Sequence, residues 1–517
     1  MAALNMEKRR PYGTAALAAR RPATENRQTI PDSSAGTVGT RHGPFVVDHD
    51  HPKPLVEQIV EQFIARIGDK SLRAGSRLTS IRRFAAEYHV SKFTVVEAYD
   101  RLVALGYVQS RRGAGFFVAS RVESHANVPL RREPPLRRCV DSLWLLRQDA
   151  LTADNSVLKP GCGWLPPDWM PEAELEKALR DLTRRPNARL TSYGEPFGYR
   201  PLRQQLCVRL AELEIETEPE QIVLTHGAMQ ALDLIARYFV DEGDAVLVDD
   251  PGFFNVFANQ KLNGARLYGV PRTPNGPDVA VLEQLLAEHK PKLFITNSVL
   301  HNPTGTSLNR ATAFRILQLA EKYDLTIVED DIYSDFQTGP GERLAALDQL
   351  NRVIYIGSFS KTLSANLRVG FIAADPRRAQ DLCDLKLLTG LSSSEAAERV
   401  IHAMLTEGAY RKHMERVKTR LKQAADEALP RLEALGYTLW AQPSGGMFTF
   451  ARLPAIADSV PIAQAALGEG LMQAPGVLFC PQGGATPWLR FNMAHMEDRR
   501  VWDWLARVAA GEPAKAL

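Results

Sequence analysis

Lys361 lies in the run Ser358-Phe359-Ser360-Lys361-Thr362-Leu363-Ser364-Ala365-Asn366-Leu367-Arg368-Val369-Gly370, flanked by hydroxyl residues and followed seven positions later by an arginine. A primary amine can hold an aldehyde as a Schiff base, and hydroxyls with a guanidinium fork suit the oxygens of a phosphate. A phosphorylated aldehyde meets both needs, which makes pyridoxal 5'-phosphate the expected cofactor. A second constellation lies upstream. Arg82, Ser91, Lys92 and Thr94 fall at the starts of short helical patterns, and Arg111-Arg112-Gly113-Ala114-Gly115 follows them. Basic and hydroxyl side chains are the kinds that can bond phosphate oxygens.

These groups need elements to hold them, and 517 residues are too many for one hydrophobic core, so two or three domains are expected. No apolar run reaches the length of a membrane span, and the N-terminus lacks a continuous apolar region, so a cytoplasmic protein is expected. Cys139, Cys162, Cys207, Cys383 and Cys480 are scattered without a CxxC pair, which argues against a disulfide framework and against a metal site. The net charge of +3 hides an asymmetry: residues 1–150 carry 24 Lys and Arg against 15 Asp and Glu, a balance of +9 that leaves −6 for the rest. A basic head on an acidic body fits a head that meets a phosphate backbone, although a solvated basic face has the same composition.

Residues 1–50 have few core-forming side chains and no periodicity, and read as a disordered tail. A transit peptide, or an over-extended start with Met6 as the true first residue, are the alternatives for this stretch. From Pro54, Leu55, Val56, Ile59, Val60, Phe63, Ile64 and Ile67 recur at helical spacing up to Gly68, a stop signal. Thr79 or Ser80 can cap a second helix through Tyr88, and Ser91 a third that ends at Gly106. Residues 107–110 and 116–118 predict two strands around a glycine-rich basic tip. The order describes a winged helix-turn-helix over residues 51–119. Prolines and arginine pairs mark residues 120–155 as a linker. Across 156–517, short apolar strands (221–225, 245–248, 293–296, 326–328, 353–356) alternate with helical stretches, which predicts an α/β domain with a largely parallel sheet.

The stretch from Leu72 to Ala85, together with Val90-Ser91-Lys92-Phe93-Thr94-Val95, resembles the GntR family of bacterial regulators. The resemblance implies that Arg82, Ser91, Lys92, Thr94 and Arg112 meet double-stranded DNA, with Gly113 letting the wing approach the minor groove. Two departures stand out: Thr79 replaces the family's usual proline, and Lys92 its usual arginine, so a point charge replaces a fork.

About 350 residues of the body resemble the fold-type-I aminotransferases, whose motifs occur here in order. The resemblance makes Lys361 the Schiff-base lysine and Asp330, in Glu329-Asp330-Asp331-Ile332-Tyr333, the carboxylate that keeps the cofactor's ring nitrogen protonated. Tyr333 and Asn302 would bond the phenolic oxygen, and Phe253 would stack on the ring. Gly227, Ala228 and Met229 at a helix start would hold the phosphate with Ser358 and Arg368. Tyr193 would reach the partner subunit's phosphate, which requires a dimer. Arg490 would bind a substrate carboxylate, and Gly163 would line the same side, although a structural turn explains Gly163 equally well. Phe253 lacks the hydroxyl often found at its position, and Ser364-Ala365-Asn366 replaces a more usual Ala-Pro-Gly, with Asn366 able to supply the left-handed backbone of the missing glycine.

A GntR-like reader joined to an aminotransferase-like body resembles the MocR regulators. The implied function is transcriptional control, with pyridoxal phosphate or an amino compound at Lys361 as effector and a head-to-tail homodimer as the acting form. An active aminotransferase that carries a DNA-binding head is the alternative, and an inert dimerisation scaffold a third reading.

Overall fold

The computed structural model describes residues 45–49, 51–111, 113–119, 157–184, 190–339 and 341–511. The chain divides into two compact units, Met1–Pro134 and Pro135–Leu517. The linker expected at 120–155 and most of the expected tail lie outside the described residues.

In the first unit, α1 (Leu55–Gly68), α2 (Ile81–Glu87) and α3 (Lys92–Ala104) precede a hairpin of β1 (Val108–Arg111) and β2 (Gly115–Val118). The apolar stripes meet in one core, where Ile59 and Phe63 of α1 join Phe84, Val95, Tyr99 and Leu102. Tyr99 is fully buried, and its hydroxyl donates to the Thr79 carbonyl at 2.8 Å, so its polar end is satisfied. Ser80, not Thr79, caps α2 by accepting from the Arg83 N–H, and Ser91 caps α3 by accepting from the Thr94 N–H at 3.0 Å. The first helix ends at Gly68, as expected, with Asp69 as its C-cap and Lys70 in the left-handed region at φ +64°.

The sequence reading places residues 45–49 in the tail, but they pack on α1. Val46 exchanges backbone bonds with the Gln62 amide and Asp48 does so with the Gln58 amide, in the alternating pattern of a strand edge. Phe45 lies 4.6 Å from the Phe63 ring and 5.7 Å from the Tyr88 ring, with the Arg66 guanidinium over its face at 3.8 Å. Two glutamines one helical turn apart therefore act as a ladder for an extended strap.

The second unit is built on an eight-stranded sheet in the order β3-β10-β9-β8-β7-β4-β5-β6. Its strands are β3 (Ile222–Thr225), β4 (Ala245–Asp250), β5 (Arg266–Thr273), β6 (Gly276–Pro277), β7 (Leu293–Thr296), β8 (Thr326–Asp330), β9 (Val353–Ser358) and β10 (Gly370–Ala373). Strands β5, β4, β7, β8 and β9 run parallel, whereas β10 is antiparallel to both of its neighbours. Alternation splits each strand between two cores: Leu224, Leu247, Phe294, Ile327 and Val353 enter one, and Val223, Val248, Ile295, Val328 and Ile354 the other. Such strands read as unbroken apolar runs because helices cover both faces. A second sheet of four antiparallel strands, β11 (Thr438–Leu439), β12 (Phe448–Arg452), β13 (Ala474–Pro475) and β14 (Trp488–Asn492), was not anticipated from the sequence. It carries Arg490 at its centre, opposite Phe450 and Ala474.

Candidate cofactor pocket and nucleic-acid interface

The site forms where the parallel strands end, the place at which open α/β sheets hold ligands. Strand β8 ends in Glu329 and Asp330, followed at once by Asp331; all three are buried. Pleating sends them apart. Glu329 accepts the N–H groups of Leu344 and Ala345 at 2.8 Å each, at the start of the helix Leu344–Asp348. Asp331 accepts from Arg343 Nε at 2.6 Å and from the Tyr355 hydroxyl at 3.0 Å. Asp330 turns to the other side, into a cavity lined also by Phe253, Asn297, His301, Asn302 and Tyr333. Its Oδ1 is buried without a hydrogen-bond partner. Burial, and then the charge of Asp331, push the Asp330 carboxyl up to about 7.

Around this carboxylate the expected residues converge. Asn302 donates through Nδ2 to the Tyr333 hydroxyl at 3.3 Å and accepts from Arg490 Nη1 at 2.9 Å. Arg490 is 1% exposed, sandwiched by the Phe448 and Phe479 rings, and donates to the Gly161 carbonyl at 2.8 Å. Lys361 Nζ donates to the Gly163 carbonyl at 2.7 Å and lies 5.8 Å from the Trp164 ring centre. A Cβ at Gly163 would stand 3.5 Å from Arg490 Nη2 and 3.8 Å from Lys361 Nζ, so this glycine keeps open the space between amine and guanidinium.

The phosphate end is a cradle of backbone and fork. The helix Ala228–Phe239 begins directly after β3, with Gly227 as its N-cap at φ +76°. Arg368 donates to Ser360 Oγ and to the His226 carbonyl at 3.1 Å each, and Ser358 Oγ lies 3.2 Å from Ser360 Oγ. Helix-start amides, two hydroxyls and a guanidinium are groups that can hold an anion. The left-handed residue of this loop is Arg368, at φ +52°, and not Asn366 as expected. Ser364 stabilises the turn instead, accepting from the Leu367 N–H at 3.3 Å. Gly227→Ala would place its Cβ 2.7 Å from Arg368 Nη2 in a backbone conformation that side chains avoid. It is expected to cost the cofactor more than about 1 kcal/mol of binding. Absorbance titration should show weaker binding of pyridoxal phosphate and unchanged binding of pyridoxal, which lacks the phosphate.

The residues present fit this cofactor: Asp330 has a buried carboxylate oxygen without a hydrogen-bond partner, the Lys361 amine is near enough to act on its charge, and the anion-binding groups Ser358, Ser360 and Arg368 lie on the segment that carries Lys361. Phe253 is half-buried on the cavity wall. Tyr193 does not join the cluster, being 81% exposed. Sequence reasoning missed Ser360, although Ser-x-Ser-Lys contained it. It also missed the polar groups Asp249 and His301 of the cavity wall. Asp249 is held below the ordinary carboxylate range because Arg272 and His301 outweigh the effect of burial. Burial and Arg272 keep His301 near 4, a neutral imidazole at physiological pH. No group of metal-ligating side chains occurs among the described residues. No described helix is long and apolar enough to cross a membrane.

In the first unit, Arg82 and Lys92 are exposed at the starts of α2 and α3. The Ser91 and Thr94 hydroxyls lie 2.8 Å apart at the α3 cap, so capping already engages them. Phe93, unremarked in the sequence, is 76% exposed. It falls off the stripe of Val95, Ala98, Tyr99 and Leu102, a signal that could have identified it. Gly113 takes φ +77° between β1 and β2, while Arg112 lies outside the described residues.

Residues 165–508 match the aminotransferase class I and II family, and residues 55–118 the gntR family of bacterial regulatory proteins. A Bacillus subtilis protein named as the uncharacterized HTH-type transcriptional regulator YdfD is 28% identical over 460 residues, covering 86% of this chain and 94% of its own. The "Probable rhizopine catabolism regulatory protein MocR" of Rhizobium meliloti is 29% identical over 83% of this chain and 88% of its own. The crystal structure of LysN, the α-aminoadipate aminotransferase of Thermus thermophilus complexed with N-(5'-phosphopyridoxyl)-L-leucine, superposes with a TM-score of 0.65 at 30% identity. It covers 71% of this chain and 95% of its own.

Proposed function

The chain belongs to the aminotransferase class I and II family and carries a gntR-family reader, the MocR-type combination, and from that premise we propose that its pyridoxal phosphate pocket senses an effector and thereby changes DNA binding. The observation that carries the reading is the coexistence, in one chain, of a lysine-centred pocket and a reader whose Arg82, Lys92 and Phe93 are exposed.

Pyridoxal phosphate, when bound, supplies an electrophilic carbon and an electron-withdrawing ring to an incoming amine. Lys361 provides the amine that anchors it. Asp330 would hold a proton at the ring nitrogen, where its free Oδ1 points into the cavity. Asn302 and Tyr333 would bond the phenolic oxygen, and Phe253 would cover a ring face. Gly227, Ala228, Met229, Ser358, Ser360 and Arg368 would grip the phosphate. Arg490 would receive the carboxylate of an amino compound beside Gly163. Tyr193 is exposed enough to serve a second copy, which fits a head-to-tail homodimer in which each phosphate is completed in trans.

In the reader, Arg82 offers a fork to guanine, Phe93 an apolar contact for a thymine methyl, and Lys92 and the helix-start hydroxyls contacts to phosphate. Arg112 and Gly113 would carry the wing. The setting for this activity is the cytoplasm, where operator DNA lies. In this reading the reader spans about 45–119, its strap included, and the effector body 156–517.

The test is operator selection from genomic DNA with the full chain, followed by anisotropy titration with and without pyridoxal phosphate and a panel of amines. A change in affinity or in DNA bending with ligand supports the reading; the same binding under every condition overturns it. Arg82→Ala should weaken operator binding roughly tenfold with cofactor binding intact. Lys92→Ala should lower the slope of log affinity against log salt by about one unit.

A second reading, a working aminotransferase with a DNA-binding head, is favoured by the seating of Arg490 on Asn302, which leaves a carboxylate-binding arginine in place. Steady turnover of an amino acid and a keto acid without operator selection would establish it.

A further inference from the structure

We propose that Asn297 is a positioning residue that couples the carboxylate-binding end of the pocket to its ring-nitrogen end. The inference rests on the cofactor reading above. Asn297 follows β7 and lies half-buried at the cavity wall, and every polar group it owns is used there. Its N–H donates to Asp249 Oδ2 at 3.0 Å, and its carbonyl accepts from Arg272 Nη1 at 3.2 Å. Its Oδ1 accepts from the Asn302 N–H at 3.0 Å. Its Nδ2 donates to the Asp330 carbonyl at 2.7 Å and to the Val299 carbonyl at 3.1 Å.

One side chain thus holds the backbones of two residues that face different parts of the ligand. Asn302 carries Arg490, the guanidinium suited to a carboxylate. Asp330 carries the unpartnered oxygen suited to the ring nitrogen. The backbone of Asn297 is in turn fixed by the ion pair Asp249–Arg272, 3.1 Å apart with side chains 5% and 0% exposed. A buried ion pair is a poor source of net stability, because desolvation offsets its attraction. Its value here lies in direction: it clamps both backbone groups of Asn297, so the side-chain amide cannot drift. Hydrogen-bond networks carry coupling between sites where they have two arrangements, here Asn302 bonded to Arg490 or released from it when a ligand takes the guanidinium. A carboxylate that draws on Arg490 loads Asn302, and the load reaches Asp330 through one amide.

The experiment measures cofactor affinity by visible absorbance titration with and without propionate, an unreactive carboxylate, with neutral propionamide as control. Native protein should bind pyridoxal phosphate with a dissociation constant that propionate changes by at least about fivefold, with propionamide inert. In Asn297→Ala the ratio should fall to about one, whatever happens to affinity itself. Asn297→Asp keeps the acceptor for Asn302 but loses the donor to Asp330, so it too should be uncoupled. It carries the test if the alanine variant fails to give a cooperative melt. A propionate ratio that is the same in native and variant proteins, or that is one in the native protein, overturns the coupling and leaves the cofactor reading intact. Absence of any visible band on native protein overturns the cofactor reading, and this inference with it.

Discussion

Lys361→Ala is expected to abolish the visible absorption band that pyridoxal phosphate develops on the native protein, completely and not by degrees. The amine at Lys361 Nζ lies 2.7 Å from the Gly163 carbonyl, beside the opening that Gly163 leaves toward Arg490, and alanine offers nothing that can bond the aldehyde carbon. The cradle of Gly227, Ser358, Ser360 and Arg368 survives the change, so the variant should still bind the cofactor weakly and release it to inorganic phosphate. Borohydride treatment followed by peptide mapping should find the cofactor on Lys361 in native protein and on no peptide of the variant. A band that persisted would point to another lysine. Burial brings Lys386 down to about 8, but its amine is already bonded to the Pro196 carbonyl and to Ser393 Oγ, so it is a poor substitute.

Asp330→Asn should produce two effects of opposite sign. Removing a carboxylate that faces a cationic ring nitrogen costs a charge-assisted hydrogen bond, about 1.5–3 kcal/mol, or roughly 10- to 100-fold in cofactor affinity. Without cofactor the same carboxylate is a liability. Its proton affinity is raised to about 7, so between an ordinary aspartate value near 4 and pH 7 the folded protein holds a proton that the unfolded chain releases. Stability from this group is therefore full below pH 4 and is lost as pH rises through 7. Glu329, also pushed up to about 7 by burial and by Asp331, adds to the same slope. Cofactor-free Asp330→Asn should melt several degrees above native protein at pH 8 and lose about half of the decline between pH 5 and 8, while gaining less from added cofactor. Scanning fluorimetry at the two pH values decides it. A variant whose melt and cofactor response track the native protein at both would show that Asp330 does not face the ring.

Much of this site was legible because motif order survives in the chain. Lys361, Asp330, Asn302, Tyr333 and Arg490 each lie inside a short signature, and the parallel strands that deliver them read as apolar runs. What escaped notice depended on contacts between distant segments. Nothing in the local sequence around Arg272 says that its guanidinium meets Asp249, 23 positions earlier in the chain and on a neighbouring strand. Asn297 looks like an ordinary polar residue at a strand end until its partners are known. The four-stranded sheet was missed because two of its strands are two residues long, too short for alternation to register. Asn366 was chosen for the left-handed turn on propensity alone, a preference that tertiary context overrode in favour of Arg368.

The strap at residues 45–49 bears on how such a protein can be assembled by gene fusion. The segment that matches the gntR family begins at residue 55, yet Phe45 covers Phe63, Phe84 and Tyr88 from outside that limit. A recombination event that cut at the family boundary would transplant a reader with an open aromatic face and two glutamines bonded only to water. For this chain the inheritable piece is longer than the recognisable one, and Gln58 and Gln62 tie the two together.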